Sequence, residues 1–263
     1  MTTRHSGAAY RLAAGVLRPP LATLTKQDWA GAEHLPRSGG FVVCANHMSH
    51  LDPLVVAHFM HDQGIPPRFL AKASLFKGRV VGPVLRGAGQ IPVYRDTADA
   101  GRAFSAAVAA VEAGEGVVIY PEATLTRDRG LWPMSGKTGA ARVALTTGCP
   151  VIPMAQWGVQ EILPPYAKRP KLFPRRTIRI LAGPPVDLSA FQGRLDGPTL
   201  RAATDTILDE ITVLLEKLRG EKAPGSRIDG RTARSGEPAR DAGSGADAGS
   251  GADAAAEGGD VPA

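Results

Sequence analysis

Apolar positions along the chain come in two rhythms. Short runs rich in Val, Ile and Phe fall at 41–44, 68–70, 90–93, 117–120, 151–155 and 178–181, with the length and composition of strands. Between most of them apolar residues recur every three or four positions, which predicts helices at 54–62, 101–113, 139–147 and 199–218. Phe104, Val108 and Val111 share one face of the second helix, and Leu200, Ile207, Ile211, Leu214 and Leu218 run as a stripe along the last. Strands alternating with helices predict an α/β domain, a central β-sheet flanked by helices. No internal repeat is visible.

Ahead of this pattern, residues 8–18 predict a short helix that Pro19 and Pro20 end. Arg4, Arg11 and Arg18 recur every seven residues on roughly one face, leaving Leu12, Val16 and Leu17 to meet lipid or core. From Ala223 onward the chain turns to Gly, Ala, Ser, Asp and Pro, too poor in large apolar side chains to bury a core, so a disordered C-terminal tail is expected. The expected organisation is an amphipathic, membrane-facing segment at 1–30, one catalytic domain at 31–222 and a low-complexity tail at 223–263.

Charge and cysteine content narrow the partners. The tail holds four Arg against seven acids, a balance of −3, so of the chain's +6 it leaves +9 on residues 1–222. Such a surface suits phosphorylated metabolites, nucleic acid or anionic headgroups. Nucleic acid is disfavoured, because aromatics are 5% of residues and no recognition motif accompanies the charge. Residues 168–176 mix dense positive charge with Leu172 and Phe173, as lipid headgroups or the phosphates of coenzyme A would require; a solvated basic loop reads equally well. Cys44 and Cys149 lie far apart in apolar surroundings, consistent with reduced thiols in the cytosol. No run approaches the ~18 apolar residues of a spanning helix and no signal peptide is evident. A peripheral position on the cytoplasmic face of the cell membrane, with no transmembrane helix, is therefore expected.

The chemistry concentrates in Asn46-His47-Met48-Ser49-His50-Leu51-Asp52-Pro53, a loop between a strand and a helix, where α/β sheets place reactive groups. A neutral histidine can take the proton of an attacking alcohol, and a carboxylate on its other ring nitrogen fixes the tautomer and stabilises the imidazolium. His47 and Asp52 supply those parts. Asp52 before Pro53 also reads as a plain helix cap, and His47 as a structural histidine at a strand end.

Asn46-His47-x-Ser49-x-x-Asp52 resembles the NHxSxxD signature of the glycerolipid acyltransferases, the group containing 1-acylglycerol-3-phosphate acyltransferase. Three further blocks match in order. Gly89-Gln90-Ile91-Pro92-Val93-Tyr94-Arg95 is similar to the second motif of that family, Tyr120-Pro121-Glu122-Ala123-Thr124 to the third, usually FPEGT, and Val151-Ile152-Pro153-Met154 to the fourth. The resemblance implies a glycerol-3-phosphate acyltransferase-like α/β fold in which His47 is the base and Asp52 orients it. It implies that Arg95 and Glu122 hold the glycerol-phosphate end, with Asn46, Ser49, Gly89, Thr124 and Lys137 also on the substrate side. The implied reaction moves a fatty acyl group from acyl-CoA or acyl carrier protein, as co-substrate without a cofactor, to a lysophospholipid at an anionic membrane surface. Lysophosphatidic acid going to phosphatidic acid is the leading acceptor, another lysolipid or glycolipid the alternative. Two positions depart from the third motif: Ala123 stands where Gly is usual, and Leu125 where an Arg that grips phosphate often follows, with Arg127, Arg129 or Lys137 as stand-ins.

Three rivals come from other classes. His47, His50 and Asp52 offer metal ligands within six residues, as a metal-dependent hydrolase would need, but all six histidines precede residue 62, so no distant one completes the cage. Gly130 to Thr138 suggests a phosphate loop, yet five residues separate its glycines where four are needed, and Pro133 removes a donor. A lipid-binding module without chemistry would not require His47 and Asp52 together. The absence of a G-x-S-x-G elbow argues against a serine hydrolase.

Overall fold

The structure, a computed structural model, describes residues 7–93 and 100–230. The helix α1 (Ala8–Leu24) leads into an edge strand β1 (Thr25–Ala30). There follow β2 (Phe41–Ala45), α2 (Asp52–Asp62), β3 (Pro67–Lys72), α3 (Val81–Gly87), β4 (Ile91–Val93) and α4 (Ala100–Glu112). The chain continues through β5 (Gly116–Ile119), α5 (Gly139–Thr147), β6 (Val151–Trp157), α6 (Val159–Ile162), β7 (Arg176–Ala182) and α7 (Gly197–Arg219). The seven strands form one sheet in the order β1-β7-β6-β2-β5-β3-β4.

β6, β2, β5, β3 and β4 are parallel; β7 runs antiparallel to β6, and β1 parallel to β7. β2 is central, with Val42 opposite both Val117 and Val151. All five of its residues are buried, because a parallel sheet covered on both faces needs apolar side chains on both. Val42 and Cys44 meet Val111 of α4, Ala141 of α5 and Ile207 and Ile211 of α7 on one side. Phe41, Val43 and Ala45 meet Val56, Phe59 and Met60 of α2 on the other. The stripe expected on the last helix is the face it buries, and each such Leu or Ile contributes about 1.5–3 kcal/mol.

All six expected strands and four expected helices are present, with ends shifted by at most two residues. Three differences stand out. α1 does not stop at residue 18 but runs to Leu24 with Pro19 and Pro20 inside it. The two prolines leave the carbonyls of Gly15 and Val16 without helical donors, and both residues are exposed, so these carbonyls are open to solvent. β1 lies in the segment expected to face the membrane; only Thr25 of its six residues is buried, and among the described residues it pairs only with β7, so little apolar signal marks it. The chain also does not leave the domain at residue 223: the backbone carbonyls of Ile228 and Gly230 accept hydrogen bonds from Ser135 N and Arg127 Nη1 at 3.0 Å.

Candidate active site

β2 ends at the edge where its parallel neighbours β5 and β6 also end, and the loop that follows carries the candidate pair. Asp52 opens α2 without capping it: its Oδ2 turns back and accepts the backbone N–H of Met48 at 2.6 Å and of Ser49 at 2.8 Å. The same oxygen lies 2.8 Å from His47 Nδ1. Backbone N–H groups can only donate, so Oδ2 acts as an acceptor, Nδ1 carries the ring proton, and Nε2 is left with a free lone pair. The His47 ring stacks on Tyr120, centroids 4.2 Å apart and planes inclined by 22°. Its side chain is 16% exposed, whereas that of Asp52 is wholly buried. Burial pushes the Asp52 carboxyl above its ordinary value, opposed by the His47 ring and the two backbone donors. Burial raises the Tyr120 hydroxyl well above its usual range, and the neighbouring Asp52 charge adds to that.

Three of the residues expected to touch substrate instead hold this loop in place. Asn46 makes a two-way clasp with Gln156 of β6, its Oδ1 accepting Gln156 N at 2.9 Å and its Nδ2 donating to Gln156 O at 3.2 Å. Ser49 Oγ donates to the carbonyl of Leu163 at 2.8 Å. Glu122 is 4% exposed, and its two oxygens accept His47 N and Met134 N, each at 3.0 Å. Burial pushes the Glu122 carboxyl up to about 8, opposed first by those two N–H groups. With each oxygen holding a backbone N–H and the residue almost wholly buried, Glu122 ties two loops together. Thr126 N donates to the His47 carbonyl at 2.7 Å and closes the frame.

Thr124 is half-buried and Lys137 exposed, both on the loop that follows β5 on the His47 edge. Gly89 is elsewhere. It precedes β4 at the opposite edge of the parallel strands, where its left-handed backbone (φ +69°) and missing Cβ let the Arg68 side chain pass towards Glu115. Its smallness serves an ion pair, which corrects the substrate-side expectation. Arg95 lies outside the described residues. Ala123 adopts a left-handed φ of +56°, which is the physical reason Gly suits that position. Leu125 is 3% exposed, so the side chain at that position points into the core here. Arg127 is bound to the Gly230 carbonyl.

His50 is exposed, and among the described residues no group of three or more His, Cys, Asp or Glu could hold a metal ion. In the loop 130–138 the N–H groups of Met134, Ser135 and Lys137 donate to Glu122, Ile228 and Pro121, so they are not turned to a phosphate. Sequence reasoning gave no role to Tyr120, Thr126, Met134 or Gln156. Only Tyr120 left a trace, a hydroxyl at a strand end where the third motif usually has Phe; the others act through backbone atoms or across the sheet.

The family model described as Acyltransferase matches residues 27–157. The chain is 31% identical over 141 residues to a chloroplastic 1-acyl-sn-glycerol-3-phosphate acyltransferase of Brassica napus, covering 53% of this chain and 39% of the relative. It is 32% identical over 132 residues to the 1-acyl-sn-glycerol-3-phosphate acyltransferase of Borreliella burgdorferi, covering 50% and 51%. The chain thus spans about half the length of these relatives or less. The crystal structure of a 1-acyl-sn-glycerophosphate acyltransferase from Thermotoga maritima superposes with a TM-score of 0.62 over 82% of this chain and 83% of that one, at 21% identity, a likeness of fold.

Proposed function

The chain belongs to the acyltransferase family, and on that premise we propose that it moves a fatty acyl group from a thioester to the free hydroxyl of a lysolipid. One observation carries the reading: His47 Nδ1 lies 2.8 Å from an Asp52 oxygen that also takes two backbone N–H groups, so the other ring nitrogen is free as a base on a partly exposed ring. His47 Nε2 takes the acceptor's hydroxyl proton as that oxygen attacks the thioester carbonyl. The tetrahedral intermediate then expels the thiolate, which recovers the proton from the imidazolium, giving an ester and a free thiol. Asp52 stabilises the imidazolium in between. Acyl-CoA or acyl carrier protein is the donor, and the step draws on no resident cofactor.

The acceptor is a lysophospholipid, with lysophosphatidic acid yielding phosphatidic acid as the leading case, and it arrives from an anionic membrane surface. Residues 1–27 and 63–93 contain no acid. Within them α1 packs against α3; α1 exposes Leu12 and Val16, and the stretch at and before α3 exposes Leu75, Val80 and Val81 along with Lys72, Lys77, Arg79 and Arg86. Apolar side chains ringed by cations suit an anionic leaflet. Among the described residues no helix is long and apolar enough to cross a membrane.

The test follows free thiol with acyl-CoA and a panel of lysolipids. Release is expected with phosphorylated acceptors, and His47→Ala is expected to abolish it while retaining lysolipid binding; unchanged release in that variant refutes the catalytic reading. Turnover with non-phosphorylated acceptors alone removes the glycerophosphate half. Sedimentation with anionic vesicles is expected to weaken in Val16→Asp and Val80→Asp and at high salt; binding indifferent to all three rejects the membrane face.

A further inference from the structure

The compositional break at Ala223 predicts a disordered tail from there on, yet the first residues past α7 return to the active-site side. Arg227 Nη2 pairs with Asp209 of α7. Ile228 O accepts Ser135 N at 3.0 Å, Asp229 Oδ1 accepts Ser135 Oγ at 3.3 Å, and Gly230 O accepts Arg127 Nη1 at 3.0 Å. These contacts hold the two ends of the loop 127–135.

That loop is not peripheral to the chemistry. Arg127 N donates to Met134 Sδ at 3.2 Å, and fully buried Met134 donates its own N–H to Glu122 Oε2 at 3.0 Å. The other oxygen of Glu122 holds His47 N at 3.0 Å. The positive charge of Arg227 also opposes the burial that raises the Glu122 carboxyl, as the least of the causes acting on it. A continuous path therefore runs from the segment 227–230 through Arg127, Met134 and Glu122 to the backbone of His47.

We infer that residues 223–230 form a clasp that positions the His47 loop by way of the 127–135 loop and Glu122, with Arg127 and Arg227 as its positioning residues. The inference rests on the acyl-transfer reading of the same site. The clasp acts on where the base sits, so its loss lowers turnover and leaves donor binding intact. Lysine at 227 preserves the charge and so the function.

The experiment uses the full chain carrying Arg127→Met and Arg227→Gln together. Hydrogen exchange is expected to speed up at the amides of His47 and Met134 while Val118 in β5 stays protected. In the thiol-release assay kcat is expected to fall about tenfold or more with the KM for the thioester unchanged, since a small misplacement of a base is costly in rate. Arg227→Lys alone is expected to restore parental exchange and kcat. Two results overturn the clasp: His47 and Met134 amides as protected as in the parent, or a raised acceptor KM with kcat and exchange unchanged, which would make these arginines direct phosphate contacts. If the double variant loses protection at Val118 as well, each single substitution carries the same comparison. The exchange measurement needs no substrate, so it decides the clasp even if every lysolipid proves inert.

Discussion

Replacing Asp52 by Asn separates what its charge does from what its shape does. The amide carbonyl can stand where Oδ2 stands, still accepting Met48 N, Ser49 N and the His47 ring proton. The amide nitrogen then takes the place of Oδ1, which has no hydrogen-bond partner in the parent. The loop should keep its shape and lose stability only moderately: removing a fully buried charge is favourable, while the amide nitrogen left without an acceptor costs about 1–3 kcal/mol. What disappears is the negative charge beside the imidazolium. Unit charges about 4 Å apart at an effective dielectric of about 20 attract by about 4 kcal/mol. At about 1.4 kcal/mol per decade, kcat should fall about a thousandfold. Asp52→Ala is the control: it leaves the buried N–H groups of Met48 and Ser49 without an acceptor, at about 1–3 kcal/mol each, and so loses stability as well as rate. The assay is thiol release at saturating substrates, run beside thermal unfolding. An Asn variant within about tenfold of the parent, or as unstable as the Ala variant, would refute the electrostatic role and leave Asp52 a brace for the loop.

Burial holds the Glu122 carboxyl at about 8 against 4.5 in its ordinary state. The folded protein therefore binds that proton more tightly than the unfolded chain does. Its stabilising contribution is complete below pH 4.5 and is lost as pH rises towards 8. The Tm of the parent relative to Glu122→Gln should accordingly fall from about pH 5 to about pH 9, and a flat difference would contradict the burial argument. At Gly89 an added Cβ would lie 1.4 Å from Arg68 Nη1 on a backbone at φ +69°. Gly89→Ala should cost at least about 2 kcal/mol of stability while leaving kcat and KM of the folded fraction unchanged; an altered acceptor KM at parental stability would return Gly89 to the substrate side.

How much of this was legible beforehand follows from which side chains carry the signal. β2 and β6 were legible because they are buried on both faces and write their burial as unbroken apolar runs. β1 was not, because TKQDWA lies at an edge and buries one residue, its place fixed by backbone pairing with β7, which side-chain pattern does not encode. α1 overran its prolines because a solvent-exposed helix face can leave carbonyls to water, a cost that depends on exposure and so on tertiary structure. The His47–Asp52 pair was legible because both members lie within one loop. Its supports were not: Asn46, Ser49 and Glu122 act on backbone atoms 110, 114 and 75 residues away.

Exposure divides the polar residues of the motifs into two kinds. His47 keeps part of its ring in the open, while Asn46, Ser49, Asp52 and Glu122 are 4% exposed or less and direct the hydrogen bonds they make to backbone and to His47. A side chain sealed in this way can set where the base stands but cannot read an acceptor's headgroup, since reading requires a free polar atom at the surface. On the acyl-transfer proposal, discrimination among acceptors then falls to groups that reach solvent around the same edge, such as Thr124, Arg129 and Lys137. It follows that changing the acceptor should leave the buried frame untouched, whereas any change within the frame should alter rate for every acceptor alike.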